Sequence, residues 1–480
     1  MKKFLACNIL TLLSFFFSYC LCEENQNDVK QEKSILLSGY AGLTVTRINS
    51  SKWYGNELQP QLYNNVVMGF SLAKPISKHF SLYAGIEGFL WFNTHPLIQG
   101  TFGQLQPAVG ENTVYVSRAE NVFTLSQDNF FNIPDNIFNA EIGLGVFTYK
   151  YNPDIRNLGE YMFRSGTYPG WLKTNFDATG ATLTGIRIST TSFNIWKNDI
   201  LITTEMQMYP LYDISYSWIS CIKPHKTIEI GAGINLARFT PANDSLTTRK
   251  RDVFGFPTPF YLKNAQFIYD SLTGTTDTIG GDTIYYTFKG IKLMSRLSLD
   301  IKGLFSENVN KIFGENDAKI YGELNILGLM NQGDYYNKLW QRIPITFGIN
   351  IPTFRLFDVL SCEFEYYRMP YPNNYRNQIM VMRQTYGGTP APDNQIDYFN
   401  GYCYDPNNPD NSYNWDKYDK DSWKWSVYIK KSFGKNFAFV AQAARDHLRT
   451  MSNSLTARDY DEVLTLDKHW YFAIKTIGYF

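Results

Sequence analysis

Net charge, long apolar runs and patterned cysteine or histidine are all scarce in these 480 residues. Lys and Arg total 45 against 44 Asp and Glu, a formal charge of +1, which leaves no electrostatic footprint for nucleic acid. Beyond the N-terminus no uninterrupted apolar run is long enough to cross a bilayer as a helix. Cys7, Cys20 and Cys22 fall in the first 22 residues. Cys221, Cys362 and Cys403 remain, odd in number and far apart, so neither a disulfide framework nor a CxxC metal or redox motif is present. The histidines (His79, His95, His225, His447, His469) form no HxxxH or HxH pair. No GxSxG elbow, phosphate loop or dinucleotide fingerprint occurs. A metal site, a cofactor and an enzymatic role are therefore not expected.

Aromatic residues, by contrast, are abundant. They make up 16% of the chain, the supply that two interfacial girdles of a membrane barrel require. Residues 1–22 read as a signal peptide. Lys2 and Lys3 form its positive end, Phe4–Phe17 its apolar centre, and Ser18–Cys22 a small-residue boundary, with Glu23 as the first mature residue. Acylation of Cys20 or Cys22 is the alternative, disfavoured by Tyr19 and Leu21. Residues 23–33 are polar and charged and read as a flexible arm. Residues 34–480 form one further domain.

That domain alternates with period two. In Ile35–Arg47, one face carries Ile35, Leu37, Ala41, Leu43 and Val45, and the other Ser38, Tyr40, Thr44 and Thr46. The same pattern marks Val66–Lys74, Phe80–Phe92, Thr113–Thr124, Ile137–Tyr151, Ala181–Trp196, Asp199–Leu211 and Asp213–Ile222. It continues through Thr227–Arg238, Thr287–Lys302, Ala318–Leu329, Gln341–Ile351, Leu356–Arg368, Ser422–Ser432, Asn436–Arg445 and Leu466–Phe480. About sixteen strands result, within a range of about 14–18. Short turns at Pro75–Lys78, Lys197–Asn198, Pro224–Lys226, Pro352–Arg355 and Gly434–Lys435 alternate with long connections at Asn93–Asn112, Asn152–Gly180, Phe239–Tyr286 and Met369–Asp421. Two connections break the rhythm: Leu211–Asp213 is too short and Leu125–Asn136 too long. A misassigned strand near Thr113 would repair both. Within one long connection, Gln266–Ile268 and Thr283–Tyr286 read as the arms of a hairpin.

The last strand, LDKHWYFAIKTIGYF, sets Trp470, Phe472, Ile474 and Phe480 on one apolar face. This resembles the C-terminal signature of bacterial outer-membrane β-barrels. The resemblance, carried also by the leader and the alternation, implies recognition of those four residues by the barrel-assembly machinery and an outer-membrane location. The expected fold is an all-β, single transmembrane antiparallel up-and-down barrel. Short periplasmic turns and long extracellular loops would join its strands.

If one face meets lipid, the other lines the lumen and holds Glu87, Glu141, Arg187, Glu205, Glu229, Lys292, Arg296, Lys319, Glu323, Glu363, Glu365, Lys424 and Lys475. They are candidate pore charges, although their near balance of sign predicts no clear ion selectivity. Tyr402, Tyr404, Tyr413, Trp415 and Tyr418 in the longest loop are candidates for contact with a partner or a carbohydrate, or for packing in the barrel mouth. Two functions follow. One is a porin-like channel for small polar solutes; the other is a non-conducting barrel that anchors or scaffolds a protein complex through its outer loops.

Overall fold

The computed structural model describes residues 35–53, 56–58, 61–77, 79–91, 113–125, 137–164, 172, 180–204, 213–241, 260–263, 266–270, 275–279, 282–285, 290–305, 311–329, 339–368, 422–448, 464 and 467–480. Sixteen strands form the barrel: β1 (Leu36–Trp53), β2 (Gln61–Pro75), β3 (Phe80–Trp91), β4 (Thr113–Thr124), β5 (Phe138–Tyr149), β6 (Ala181–Ser192), β7 (Trp196–Thr204) and β8 (Asp213–His225). The circuit continues with β9 (Ile228–Pro241), β10 (Gly290–Asp300), β11 (Lys319–Ile326), β12 (Ile345–Asn350), β13 (Val359–Tyr366), β14 (Trp423–Phe433), β15 (Phe437–Arg445) and β16 (Trp470–Tyr479). A short segment, Asn56–Leu58, pairs with the end of β1. Each strand pairs antiparallel with the next, and β16 returns to β1 through Tyr479↔Tyr40 to Trp470↔Ser50. Phe480 completes the seam: its N–H donates to the Gly39 carbonyl at 3.0 Å, and its carbonyl accepts from the Gly39 N–H at 2.8 Å. Closure leaves the sheet without an unpaired edge, the condition for a sheet in a medium that cannot hydrogen-bond it.

The two faces separate by polarity. Leu43, Ile86, Leu144, Ile200, Trp218, Leu297, Phe347, Phe364 and Ile474 are exposed on the outside. Thr44, Glu120, Ser217, Asn235, Arg296, Ser361 and Gln442 are buried inside. Trp470, Ile474 and Phe480 stand exposed on the outer face of the last strand, and Phe472 is half-buried among them. Strands β11–β13 are short, with 8, 6 and 8 residues. Below them the exposed residues Leu304, Ile312, Phe354 and Leu356 lie on the adjoining turns.

Several local readings need correction. The turn after β6 is Phe193–Ile195, not Lys197–Asn198, and Phe193 and Asn194 both hold φ 54°. Two successive left-handed residues give the tight reversal that matches strand twist. Pro224 closes β8 rather than opening the next turn. Thr113–Thr124 is one strand that pairs with both neighbours, so no strand was misassigned there. The long connection that follows it stands, and 301–318 is a second long connection at the same end of the barrel. Residues 205–212 lie outside the described residues. In the long connection, Gln266–Asp270 pairs with Thr275–Ile279, and Asp282–Tyr285 pairs with Phe260–Lys263. The two expected arms thus belong to successive ladders. Residues 1–34, with the leader and the arm, lie outside the described residues, as do Glu205, Tyr402, Tyr404, Tyr413, Trp415 and Tyr418.

The β4–β7 wall depends on Gly145, which faces Gly185 at φ 134°. A Cβ there would lie 1.9 Å from the Ala119 carbonyl oxygen. Gly145→Val should destabilise the barrel by about 1–3 kcal/mol or more. Gly478→Ala, whose Cβ would meet nothing nearer than 3.9 Å, should change little. Denaturant midpoints, with heat-modifiable gel mobility as the fold assay, separate the two.

Candidate functional site

The lumen is divided by its own chain. After β5, residues 150–164 turn inward instead of leaving the barrel. Ile155, Asn157, Leu158, Glu160 and Tyr161 are wholly buried. Apart from one helical turn, Tyr161–Arg164, the segment has no regular structure. Its backbone N–H groups therefore need partners from elsewhere. The barrel wall supplies carboxylates. Glu363 on β13 accepts from the N–H groups of Arg156 (2.5 Å), Asn157 (2.9 Å) and Leu158 (2.8 Å), and from the Tyr321 hydroxyl at 3.0 Å. Glu323 on β11 accepts from the Glu160 N–H (2.6 Å), Asn152 Nδ2 (3.0 Å), the Tyr151 hydroxyl (2.9 Å) and Asn325 Nδ2 (2.6 Å). Asp446, just past β15, takes Asn157 Nδ2 at 2.6 Å and the Tyr471 hydroxyl at 2.8 Å. Strands β5 and β13 are eight places apart in a ring of sixteen, so the segment crosses to the opposite wall.

Cations and apolar contacts complete the docking. Lys292 donates to the Met162 carbonyl at 3.0 Å, and Arg164 to the Asn157 carbonyl at 3.2 Å. Met162 packs among Phe147, Leu183, Leu201, Ile219 and Met294 on the inner wall. Tyr161 joins Leu172, Leu327 and Tyr367. The turn before the helix needs Gly159: its φ is 96°, and a Cβ there would meet Ile155 at 2.4 Å and the Glu323 carboxylate at 3.2 Å. The same side of the lumen also buries the pair His447–Glu365 (2.7 Å) and Lys424, which donates to the Leu464 carbonyl at 2.9 Å.

Among the described residues, a cavity of about 760 Å³ lies along the wall from β1 through β7 and the end of β16. Its charged residues are Glu87, Arg118, Glu120, Lys150, Arg187 and Lys197. Arg118 and Arg187 close on Glu120 from two sides. Arg118 gives Nε at 3.0 Å and a terminal nitrogen at 2.7 Å, and Arg187 gives 3.3 and 2.8 Å. Arg187 also reaches Glu141 at 2.9 Å. Arg118 lies 3.8 Å above the Tyr83 ring, a cation–π contact. Glu87 accepts from the Tyr40 hydroxyl at 2.5 Å and from the Tyr115 hydroxyl.

The sequence-predicted lumen charges therefore divide into groups. Glu87 and Arg187 line the cavity, and Glu141 pairs with Arg187 beside it. Lys292, Glu323 and Glu363 grip the inserted segment, as does Lys319 at 3.4 Å from Asp154; Glu365 and Lys424 are buried nearby. As pore charges these six are displaced, because the chain itself covers them or engages them. Arg296 is buried against Glu229 and Cys221, and Lys475 is half-buried on the last strand. Arg118, Glu120, Lys150 and Lys197 were missed. A bulge hides the first: Gly85 pairs with Arg118 while Ile86 pairs with Val116, so Ser117 is extra. Tyr115 and Arg118, three residues apart, thereby both face inward. The Arg118/Glu120 spacing of two was the available signal.

Two groups of the inserted segment are shifted towards neutral pH. Burial, with Glu323 adding to it and Arg164 opposing, pushes the Glu160 carboxyl up to about 8. Glu160 Oε2 has no partner among the described residues, in keeping with a neutral carboxyl. Burial and then the nearby Arg164 push Lys150 down to about 8. A raised carboxyl stabilises the docked state below its unfolded pKa of about 4.3 and loses that contribution as pH rises towards 8. A lowered lysine destabilises it at and below 8 and regains the loss above, towards about 10.4. Docking should be weakest near pH 8. Trypsin cleavage after Lys150, Arg156 or Arg164, normalised at each pH to an unstructured peptide, should peak there. Glu363→Ala leaves three N–H groups without an acceptor and should cost on the order of 3–5 kcal/mol, exposing those same bonds to trypsin while the barrel keeps its gel mobility.

No family model and no curated protein matches this chain. Among solved structures, an engineered mutant of the Rh. blastica porin aligns over 93% of this chain and all of its own, with TM-score 0.38 and 7% identity. A high-pH structure of Pseudomonas putida OprB aligns over 94% of this chain and 95% of its own, with TM-score 0.46 and 7% identity.

Proposed function

We propose that this protein is a porin-like channel of the bacterial outer membrane that passes small polar solutes. The observation that carries the reading is a closed barrel, apolar outside and polar inside, whose inserted segment leaves a cavity of about 760 Å³ along one wall. An apolar outer face is the surface that lipid wets, and charge on the inner face keeps a path hydrated. On this reading lipid surrounds the barrel, and the assembly machinery reads Trp470, Phe472, Ile474 and Phe480. Catalysis has no part in it.

A second reading is favoured by the docked segment itself. A non-conducting barrel that binds a partner through its loops gains rigidity from a filled lumen, and the wall from β11 to β15 is filled. Planar-bilayer recording of the refolded chain without residues 1–22 decides between them. The channel reading predicts stable unitary currents that change when Arg187 is replaced by Gln and hardly change when Lys424 is. Silence from protein with intact heat-modifiable mobility supports the second reading instead.

A further inference from the structure

We propose that the cavity is an anion-preferring site for small solutes bearing carboxylate or phosphate oxygens; this deepens the channel reading and rests on it. The argument is one of presentation. Four cations line the cavity, Arg118, Lys150, Arg187 and Lys197, against two carboxylates, Glu87 and Glu120. Both carboxylates are already engaged. Glu87 holds two tyrosine hydroxyls, one on each oxygen. Glu120 is 2% exposed and accepts four N–H groups from Arg118 and Arg187. Two further acids, Glu141 and Asp199, balance the formal count but do not line the cavity. Glu141 is tied to Arg187, while Asp199 accepts from Tyr149 at 2.7 Å and pairs with Lys197 at 3.1 Å.

Two of the cations keep exposed surface. The Arg118 side chain is 38% exposed and that of Lys197 is 54% exposed. Arg118 spends Nε and one terminal nitrogen on Glu120, so its other terminal nitrogen points away from that pair. A guanidinium over the Tyr83 ring at 3.8 Å, tied through two nitrogens to Glu120, is held in place to meet an oxyanion. Lys150, at the end of β5, also lines the cavity and donates to the Ile155 carbonyl at 2.6 Å. A solute in the cavity therefore meets donors, because the oxygens of both lining carboxylates already accept hydrogen bonds. The bulge at Ser117 is what turns Arg118 to this side.

The test is the zero-current potential of the reconstituted chain across a KCl gradient, followed by succinate added to one side. Wild type should prefer chloride, and succinate should reduce the current. Arg118→Gln should move the potential towards potassium and raise the half-blocking succinate concentration about tenfold, the loss of one charge-assisted contact. Lys197→Gln should move it the same way, and heat-modifiable mobility establishes that both variants fold. Potassium preference in wild type, or variants that leave potential and block unchanged, would overturn the anion site while the channel stands. Silence from folded protein would overturn the channel; calorimetric titration of succinate into the same detergent-solubilised protein then decides the site. Binding that Arg118→Gln abolishes supports it, and no binding overturns it.

Discussion

A single carboxylate, Glu363, sets the asymmetry of this barrel. Three consecutive peptide N–H groups, from Arg156 to Leu158, converge on it from a segment that starts on the opposite wall. Such a segment has no ladder or helix to satisfy its backbone, and burying those groups unpaired would cost about 1–3 kcal/mol each. Glu323 repeats the device on the neighbouring side. The acids of β11 and β13 are therefore structural ligands for a peptide before they are anything to a solute. They draw the segment across to β11–β15, and among the described residues the cavity lies along β1–β7.

That division changes how lumen charge should be counted. By formal sum the inner face is nearly neutral. Sorted by what each group touches, the picture differs: on the filled side acids bind peptide N–H groups, and on the open side they accept from tyrosine and arginine. The groups with free surface in the cavity are mainly cationic. Pairing, more than composition, fixes the field that a solute meets.

Much of the fold was legible in the alternation. Each of the sixteen strands overlaps a stretch where period two placed one, because a sheet apolar on one face and polar on the other must alternate. The errors have local causes. β1 runs on to Trp53, past Arg47, through a polar stretch in which the apolar half of the pattern fades. The turn at Phe193 uses a bulky residue at positive φ, where glycine or asparagine is the readable signal. Of the site less could be read. The expected inward direction of Glu363 and Glu323 is observed, but periodicity cannot tell that a loop from across the barrel will cover them. The bulge at Ser117 shifts a strand's parity midway and hid Tyr115 and Arg118 as neighbours. Residues 150–164 offer Gly159 as a turn signal, but no pattern that predicts burial.

The division of the lumen is the claim on which the rest stands, and cysteine accessibility tests it most directly. In a background without Cys221, Cys362 and Cys403, single cysteines would replace Ser71 and Ser117 on the open wall, and Ser361 and Ser426 on the filled wall. The refolded barrels would be treated with a small charged thiol reagent. The account predicts rapid labelling at positions 71 and 117 and protection at 361 and 426, with protection lost when the chain carries Glu363→Ala. Equal labelling of the two walls would contradict it.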